Sequence, residues 1–170
     1  MVKLLQYELG QVCSRLSSGK GIPAKKVHAA GKYPVYGGNG LRGYTDQANF
    51  EGDCSIVGRQ GAFCGNVRYF TGIAYMTEHA VVVSANEGNN TRYLAYLLST
   101  MNLGRLSGQS AQPGLSVKTL AKQIVSLPPL DEQKKIAAIL SSLDEKIELN
   151  SRINHHLAQI AQAIFQSWFV

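Results

Sequence analysis

Asp131–Trp168 reads DEQKKIAAILSSLDEKIELNSRINHHLAQIAQAIFQSW, 38 residues without a glycine or a proline. Pro128 and Pro129 stand just ahead of it and end the preceding segment. Asp131 and Glu132 then fall in a first helical turn, where negative charge suits the positive end of the helix dipole. At about 1.5 Å per residue this stretch predicts a helical rod of roughly 57 Å. Apolar residues recur at alternating spacings of four and three: Ile136, Leu140, Leu143 and Ile147, then Leu157, Ala161, Ile164 and Trp168. The same ladder lands on Asn150 and Asn154 between them, which makes a heptad seam with two polar layers in its middle. Asparagine at a buried seam position costs stability but penalises slipped registers. The other reading has Leu149 and Ile153 taking over the middle of the seam while both asparagines face water. In either form the stretch is an assembly device. It predicts a homodimer or partner interface through Ile136, Leu140, Leu143, Ile147, Asn150, Asn154, Leu157, Ile164 and Trp168.

Charge separates this rod from what precedes it. Residues 1–130 hold seven lysines and six arginines against six acids, a net +7, whereas residues 131–170 come to −1. The basic part is the part that is not rod, and a basic globular unit suits a polyanionic partner. No apolar run approaches the roughly 20 residues of a membrane span, and Met1–Gln11 lacks the sustained apolar core of a secretory leader. Cys13, Cys54 and Cys64 are odd in number and have no close C-x-x-C spacing, so they read as thiols of a cytoplasmic protein rather than a metal site.

Upstream of the rod the pattern is that of a mixed α/β (α+β) unit over residues 1–127, with the long helix filling 128–170. Leu4–Val12 reads as an extended lead-in ending in a helical turn, and Ser14–Ser18 as a strand. Tyr33–Tyr36 is a short strand running into the turn-forming, glycine-rich Gly37–Tyr44. Cys54–Arg59 is a strand, Gln60–Gly65 a second glycine-punctuated loop, and Asn66–Phe70 with Ile73–Met76 a hairpin about Thr71-Gly72. Ala80–Ser84, with three consecutive valines, is the most strand-like run. Asn90 is placed to cap a helix over Thr91–Met101 that Gly104 stops, and Ser116 to cap a short helix before a strand at Gln123–Leu127.

Nucleotide and catalytic signatures are missing. Gly38, Gly40 and Gly43 formally spell G-x-G-x-x-G, but polar, turn-like residues follow where a dinucleotide fold needs a hydrophobic helix. There is no P-loop, no H-E-x-x-H and no G-x-S-x-G. His155 and His156 are adjacent on a helix, so they point about 100° apart and cannot chelate as an i, i+4 pair does. Asp144-Glu145-Lys146 reads as a solvated helix face. No catalytic residue and no metal ligand is assigned.

What remains is a set of basic and amide side chains in and beside the glycine-rich turns. Arginine forks match guanine, Asn and Gln match adenine, and Lys and backbone N–H groups suit phosphates. On that chemistry the candidate nucleic-acid contacts are Lys20, Lys25, Lys26, Tyr36, Asn39, Arg42, Tyr44, Arg59, Gln60, Arg68, Gln109 and Gln112, with base reading assigned to segments 36–44, 59–65 and 108–114.

GKYPVYGGNGLRGYTD (31–46), IVGRQGAFCGNVRYF (56–70), GQSAQPGLSVKTLAK (108–122), LPPLDEQKKIAAILSSLDEKIELN (127–150) and AIFQSWF (163–169) together resemble the specificity subunit of type I restriction–modification systems. The resemblance implies a target-recognition domain that reads one half of a bipartite DNA sequence. It also implies helices that pair as an antiparallel coiled coil, set the spacing of the halves and dock the methylation subunit. Such a chain does no chemistry and binds no cofactor; S-adenosylmethionine, ATP and Mg belong to the methylation and restriction partners. The usual member has two recognition domains and two helices. This chain has one set, so it is expected to be a half-length form that rebuilds the arrangement by dimerising, with a piece of a longer chain as the alternative. Two other functions stay open from sequence: a coiled-coil assembly adaptor without sequence-specific DNA binding, and a small stand-alone nuclease.

Overall fold

The computed structural model describes residues 3–107 and 114–169. The chain divides into two compact units, Met1–Lys134 and Lys135–Val170. In the first unit β1 (Leu5–Glu8) leads through a 3₁₀ turn to β2 (Cys13–Ser18), then β3 (Tyr33–Gly37), β4 (Gly40–Thr45), β5 (Phe50–Gly58), β6 (Val67–Met76) and β7 (Ala80–Ala85). Helices α1 (Thr91–Thr100) and α2 (Val117–Ala121), strand β8 (Ile124–Leu127) and helix α3 (Leu130–Phe169) complete the chain.

Six strands form one sheet in the order β2-β7-β5-β6-β3-β4, and β1 pairs with β8 in a separate ribbon. Neighbours are antiparallel except β3 and β6, which run parallel. The sheet curls strongly. Although β7 and β5 stand between β2 and β6, the N–H of Lys20, just past β2, donates to Met76 O at the end of β6 (3.0 Å), and the Arg15 guanidinium of β2 lies 5.3 Å from the Phe50 ring centre.

Strand periodicity explains the consecutive valines. Val81 and Val83 point to one core with Val57, where Leu94 and Leu98 of α1, Leu120 of α2, and Val125 and Leu127 of β8 cover them. Ala80 and Val82 point to the other face, into a core with Phe50, Cys54, Ile56, Ala74 and Met76 that the Tyr36 and Phe70 rings close. A strand buried on both faces has no polar alternation to show. Each fully buried aliphatic side chain there contributes about 1.5–3 kcal/mol.

Three sequence readings change. Thr71-Gly72 makes no turn, and β6 runs unbroken from Val67 to Met76. Gly72 stands opposite Gly52 of β5, and both take positive φ (123° and 113°), so the ladder continues through a glycine pair. Gly37–Tyr44 is no open loop: β4 begins at Gly40 and only Gly38-Asn39 turn. Helix α1 ends at Thr100 with Met101 as its cap, and Asn102 just beyond takes the left-handed conformation (φ 46°) before Gly104 is reached. The caps agree with expectation. Asn90 accepts from the Tyr93 N–H (2.8 Å) and Ser116 from the Thr119 N–H (2.9 Å).

Gln133 is buried at 1 % exposure, though the sequence did not mark it. Its amide donates to Pro128 O and to Asn89 Oδ1, both at 2.9 Å, and its carbonyl accepts from the Asn90 N–H (3.0 Å). One side chain thus ties the start of α3 to the turn that caps α1.

The second unit is the remainder of α3, 40 residues long in all, with Asp131 and Glu132 in its first turn. Every side chain from Ser142 to Phe169 is exposed. No helix among the described residues is long and apolar enough to cross a membrane.

Candidate nucleic-acid interface

The β3–β4 hairpin turns at Gly38-Asn39, between the paired Gly37 and Gly40. Gly38 packs against the end of β5, where a Cβ would sit 2.6 Å from His79 O and 3.2 Å from Arg59 N. Only glycine permits that approach. It leaves Asn39 exposed at the tip.

Arg59 is anchored from several sides. Its N–H donates to His79 O (3.0 Å), its carbonyl accepts from the Leu115 N–H (2.8 Å), and its guanidinium reaches Ser18 Oγ (3.4 Å). Gln60 forms a β-bridge with Gly114, so the described end of the third glycine-rich segment meets the second. The Arg68 side chain runs past Gly40, where a Cβ would come within 3.4 Å of Nε. Arg42 lies along Gly37 in the same way, 2.8 Å from such a Cβ. Lys20 joins this end of the sheet, since Gly19 donates to Ala80 O and Ala80 pairs with Gly58. Fold topology therefore brings Lys20, Asn39, Arg42, Arg59, Gln60 and Arg68 together from four stretches of chain. All but the half-buried Arg59 are exposed.

Other sequence candidates fall elsewhere. Tyr36 is half-buried with its ring 5.0 Å from Phe70. Burial, and next the neighbouring Tyr44 phenol, push the Tyr36 phenol above its ordinary range, against the pull of Arg68. Its ring packs against the core that holds Phe50, Ile56 and Met76. Tyr44 bridges His28, each N–H donating to the other's carbonyl at 2.9 Å. Lys25 and Lys26 are exposed and line a small recess with His28, Thr45, Asp46 and Gln47. Thr45 pairs with Tyr33 at the open end of the hairpin, opposite its turn, so these lysines form a separate patch. Gln109 and Gln112 lie outside the described residues.

The structure adds residues that the sequence reading passed over. Gly65 (φ 83°) abuts Gly104 so closely that a Cβ on it would overlap the Gly104 nitrogen. Beside this contact lies a polar recess of about 600 Å³ whose lining includes Asn66, Arg68, Ser99, Thr100 and Asn102 and no carboxylate. No sequence signal pairs Gly65 with Gly104; the sole hint was an asparagine just past a helix end, a frequent left-handed position.

On the helix, Ile136, Leu143, Ile147, Asn150, Asn154, Leu157, Ile164 and Trp168 are exposed and Leu140 is half-buried. Leu149 and Ile153 are exposed as well, so both versions of the seam remain available.

A curled sheet thus gathers arginines and amides at one end and is joined in sequence to a heptad helix. The chain belongs to the Type I restriction modification DNA specificity domain family, whose profile matches residues 1–159. It is 46 % identical over 112 residues to the Type I restriction enzyme EcoprrI specificity subunit of Escherichia coli, a match covering 66 % of this chain and 28 % of that protein. A putative type I specificity subunit of Mycoplasma pneumoniae is 27 % identical over 150 residues, covering 85 % of this chain and 41 % of the relative. The fold matches the crystal structure of the type I restriction–modification S subunit from M. genitalium with a TM-score of 0.83 at 19 % identity, over 99 % of this chain and 47 % of that one. The chain therefore spans less than half the length of each of these three proteins.

Proposed function

We propose that this chain reads one half of a bipartite DNA target for a type I restriction–modification complex and performs no chemistry itself. The observation that carries this reading is the gathering of Lys20, Asn39, Arg42, Arg59, Gln60 and Arg68 at one end of the sheet of a basic unit. Arginine and amide side chains there suit base edges, and Lys20 with Arg68 suits phosphates. The patch of Lys25 and Lys26, with Tyr44 near it, is a second, backbone-directed contact, and Gln109 and Gln112 remain candidates of the segment that joins Gln60 at Gly114.

Methylation and restriction belong to partner subunits carrying S-adenosylmethionine, ATP and Mg, and the place of action is the cytoplasm. The exposed apolar seam of α3 supports a homodimer through the helix, which sets two heads at a fixed spacing and offers a docking face for the methylation subunit. A symmetric dimer prefers a palindromic bipartite site. Sequencing of methylated adenines in cells with and without this gene tests the reading. A bipartite motif that disappears with the gene is expected. Unchanged methylation would favour the second reading, that of an assembly adaptor whose helix holds partners together without DNA reading.

A further inference from the structure

Phe63 holds an apolar ring in the open. It is 44 % exposed on the 3₁₀ turn Gly61–Phe63 between β5 and β6, while its neighbour Cys64 packs against the core. The turn is held from several sides. The Gly58 N–H donates to Asn66 O and the Gly65 N–H to Gly58 O, both at 2.8 Å. The Cys64 N–H donates to Gly61 O (3.0 Å) and its thiol to Arg59 O (3.3 Å). A Cβ on Gly58 would overlap Phe63 O and lie 2.8 Å from Gly38 O, so this turn and the β3–β4 tip flank one strand end. The ring is therefore presented on the surface that carries Asn39, Arg59 and Gln60. We infer that Phe63 reads the 5-methyl group of a thymine in the major groove. This rests on the proposed DNA-reading role and adds one recognition element to it.

An exposed ring gains free energy only when a partner takes it out of water. At the base edges of a paired duplex the apolar group on offer is the thymine methyl, and it is displayed in the major groove alone. Arg59 and Gln60 need that same groove, because the patterns a guanidinium matches on guanine and an amide on adenine are shown there. An apolar wedge driven between base steps from the minor groove would carry both side chains to where A·T and T·A look alike. Gln60 and Phe63 lie three residues apart, and an amide on adenine and a ring on a thymine methyl both select A·T pairs. Leu41 is the other exposed large apolar side chain among the described residues of the segments that meet at this end, and it lies within β4 rather than on a turn.

The assembled complex of this chain with its methylation subunit tests this, on the motif whose adenine methylation disappears with the gene. Each thymine of the motif is replaced in turn by deoxyuridine, which lacks the 5-methyl group and keeps every hydrogen-bonding atom. At one thymine of a half-site, losing one buried methyl should weaken binding about fourfold in fluorescence anisotropy. Phe63→Ala should weaken binding to the unmodified duplex and respond no further to uridine at that thymine. It should also leave the slope of log affinity against log salt unchanged, since an apolar contact releases no counterions. A parent indifferent to uridine at every thymine of the motif overturns the inference, and that scan needs no variant to fold. A Phe63→Ala complex that keeps the parent's uridine sensitivity, or that loses salt dependence, overturns it as well. Failure of the wider reading looks different: no motif disappears with the gene, or cognate and scrambled duplexes bind equally, and either result removes both.

Discussion

Replacing Gln133 by leucine keeps the volume of a fully buried side chain and deletes its polar end. In the native structure that end makes three hydrogen bonds, two donated to Pro128 O and Asn89 Oδ1 and one accepted from the Asn90 N–H. Asn89 Oδ1 loses its donor as well, although Asn89 is only half-buried and its own Nδ2 still donates to Asn86 Oδ1 (2.8 Å). The substitution therefore orphans two backbone groups, Pro128 O and the Asn90 N–H, in a largely buried setting. At about 1–3 kcal/mol for each unsatisfied buried group, the expected loss is about 3 kcal/mol. For a chain of this size that lowers the midpoint of thermal unfolding by about 6–12 °C. Urea unfolding followed by far-UV circular dichroism, at matched protein concentration so that self-association does not intrude, measures it. Gln133→Glu sharpens the test. A carboxylate accepts from Asn90 but faces Pro128 O and Asn89 Oδ1, so the native state favours its protonated form and raises its pKa above the unfolded value. A raised folded pKa contributes stability at low pH that is lost as pH rises, so Gln133→Glu should approach the parent in acid and fall away toward neutrality. A leucine variant within about 0.5 kcal/mol of the parent would show that the Asn89–Gln133–Pro128 network contributes nothing measurable.

At the surface proposed to face DNA, Arg42→Ala or Arg59→Ala in the assembled complex should weaken binding to the cognate duplex by about 1–3 kcal/mol while leaving a scrambled duplex nearly unaffected. Fluorescence anisotropy on both duplexes decides it, and equal losses on the two would remove the base-reading assignment. Arg68→Ala should instead weaken both duplexes alike and lower the slope of log affinity against log salt by about 1, as loss of one phosphate contact does. Gly65→Ala forces a Cβ into the Gly104 backbone at positive φ, so a thermal melt should show one of the larger losses of any single substitution in the head, of about 2 kcal/mol or more. Asn90→Ala removes the cap of α1 and should cost about 1 kcal/mol in the same assay.

Elements whose periodicity is local were readable without coordinates. The rod from Asp131 follows from a heptad pattern free of glycine and proline, and α1 and α2 from apolar spacing behind Asn90 and Ser116. Thr71-Gly72 misled because a turn dipeptide and a glycine pair across two strands look identical in one dimension; only Gly52 on β5 distinguishes them. Gln133 passed unnoticed for a related reason. A glutamine in a helix's first turn is ordinary, and its burial depends on Asn89 and Asn90, more than forty positions away in sequence.

The amino-acid sequence by itself determined that a basic mixed unit precedes a long helix with an apolar seam, since composition and periodicity act along the chain. It also supplied the glycine-rich segments and their arginines. Which of those side chains share a surface was decided only by the tertiary structure. The curl of the sheet carries Lys20, Asn39, Arg42, Arg59 and Arg68 to one end and leaves Lys25 and Lys26 at another, because strand pairing between residues distant in sequence sets those distances.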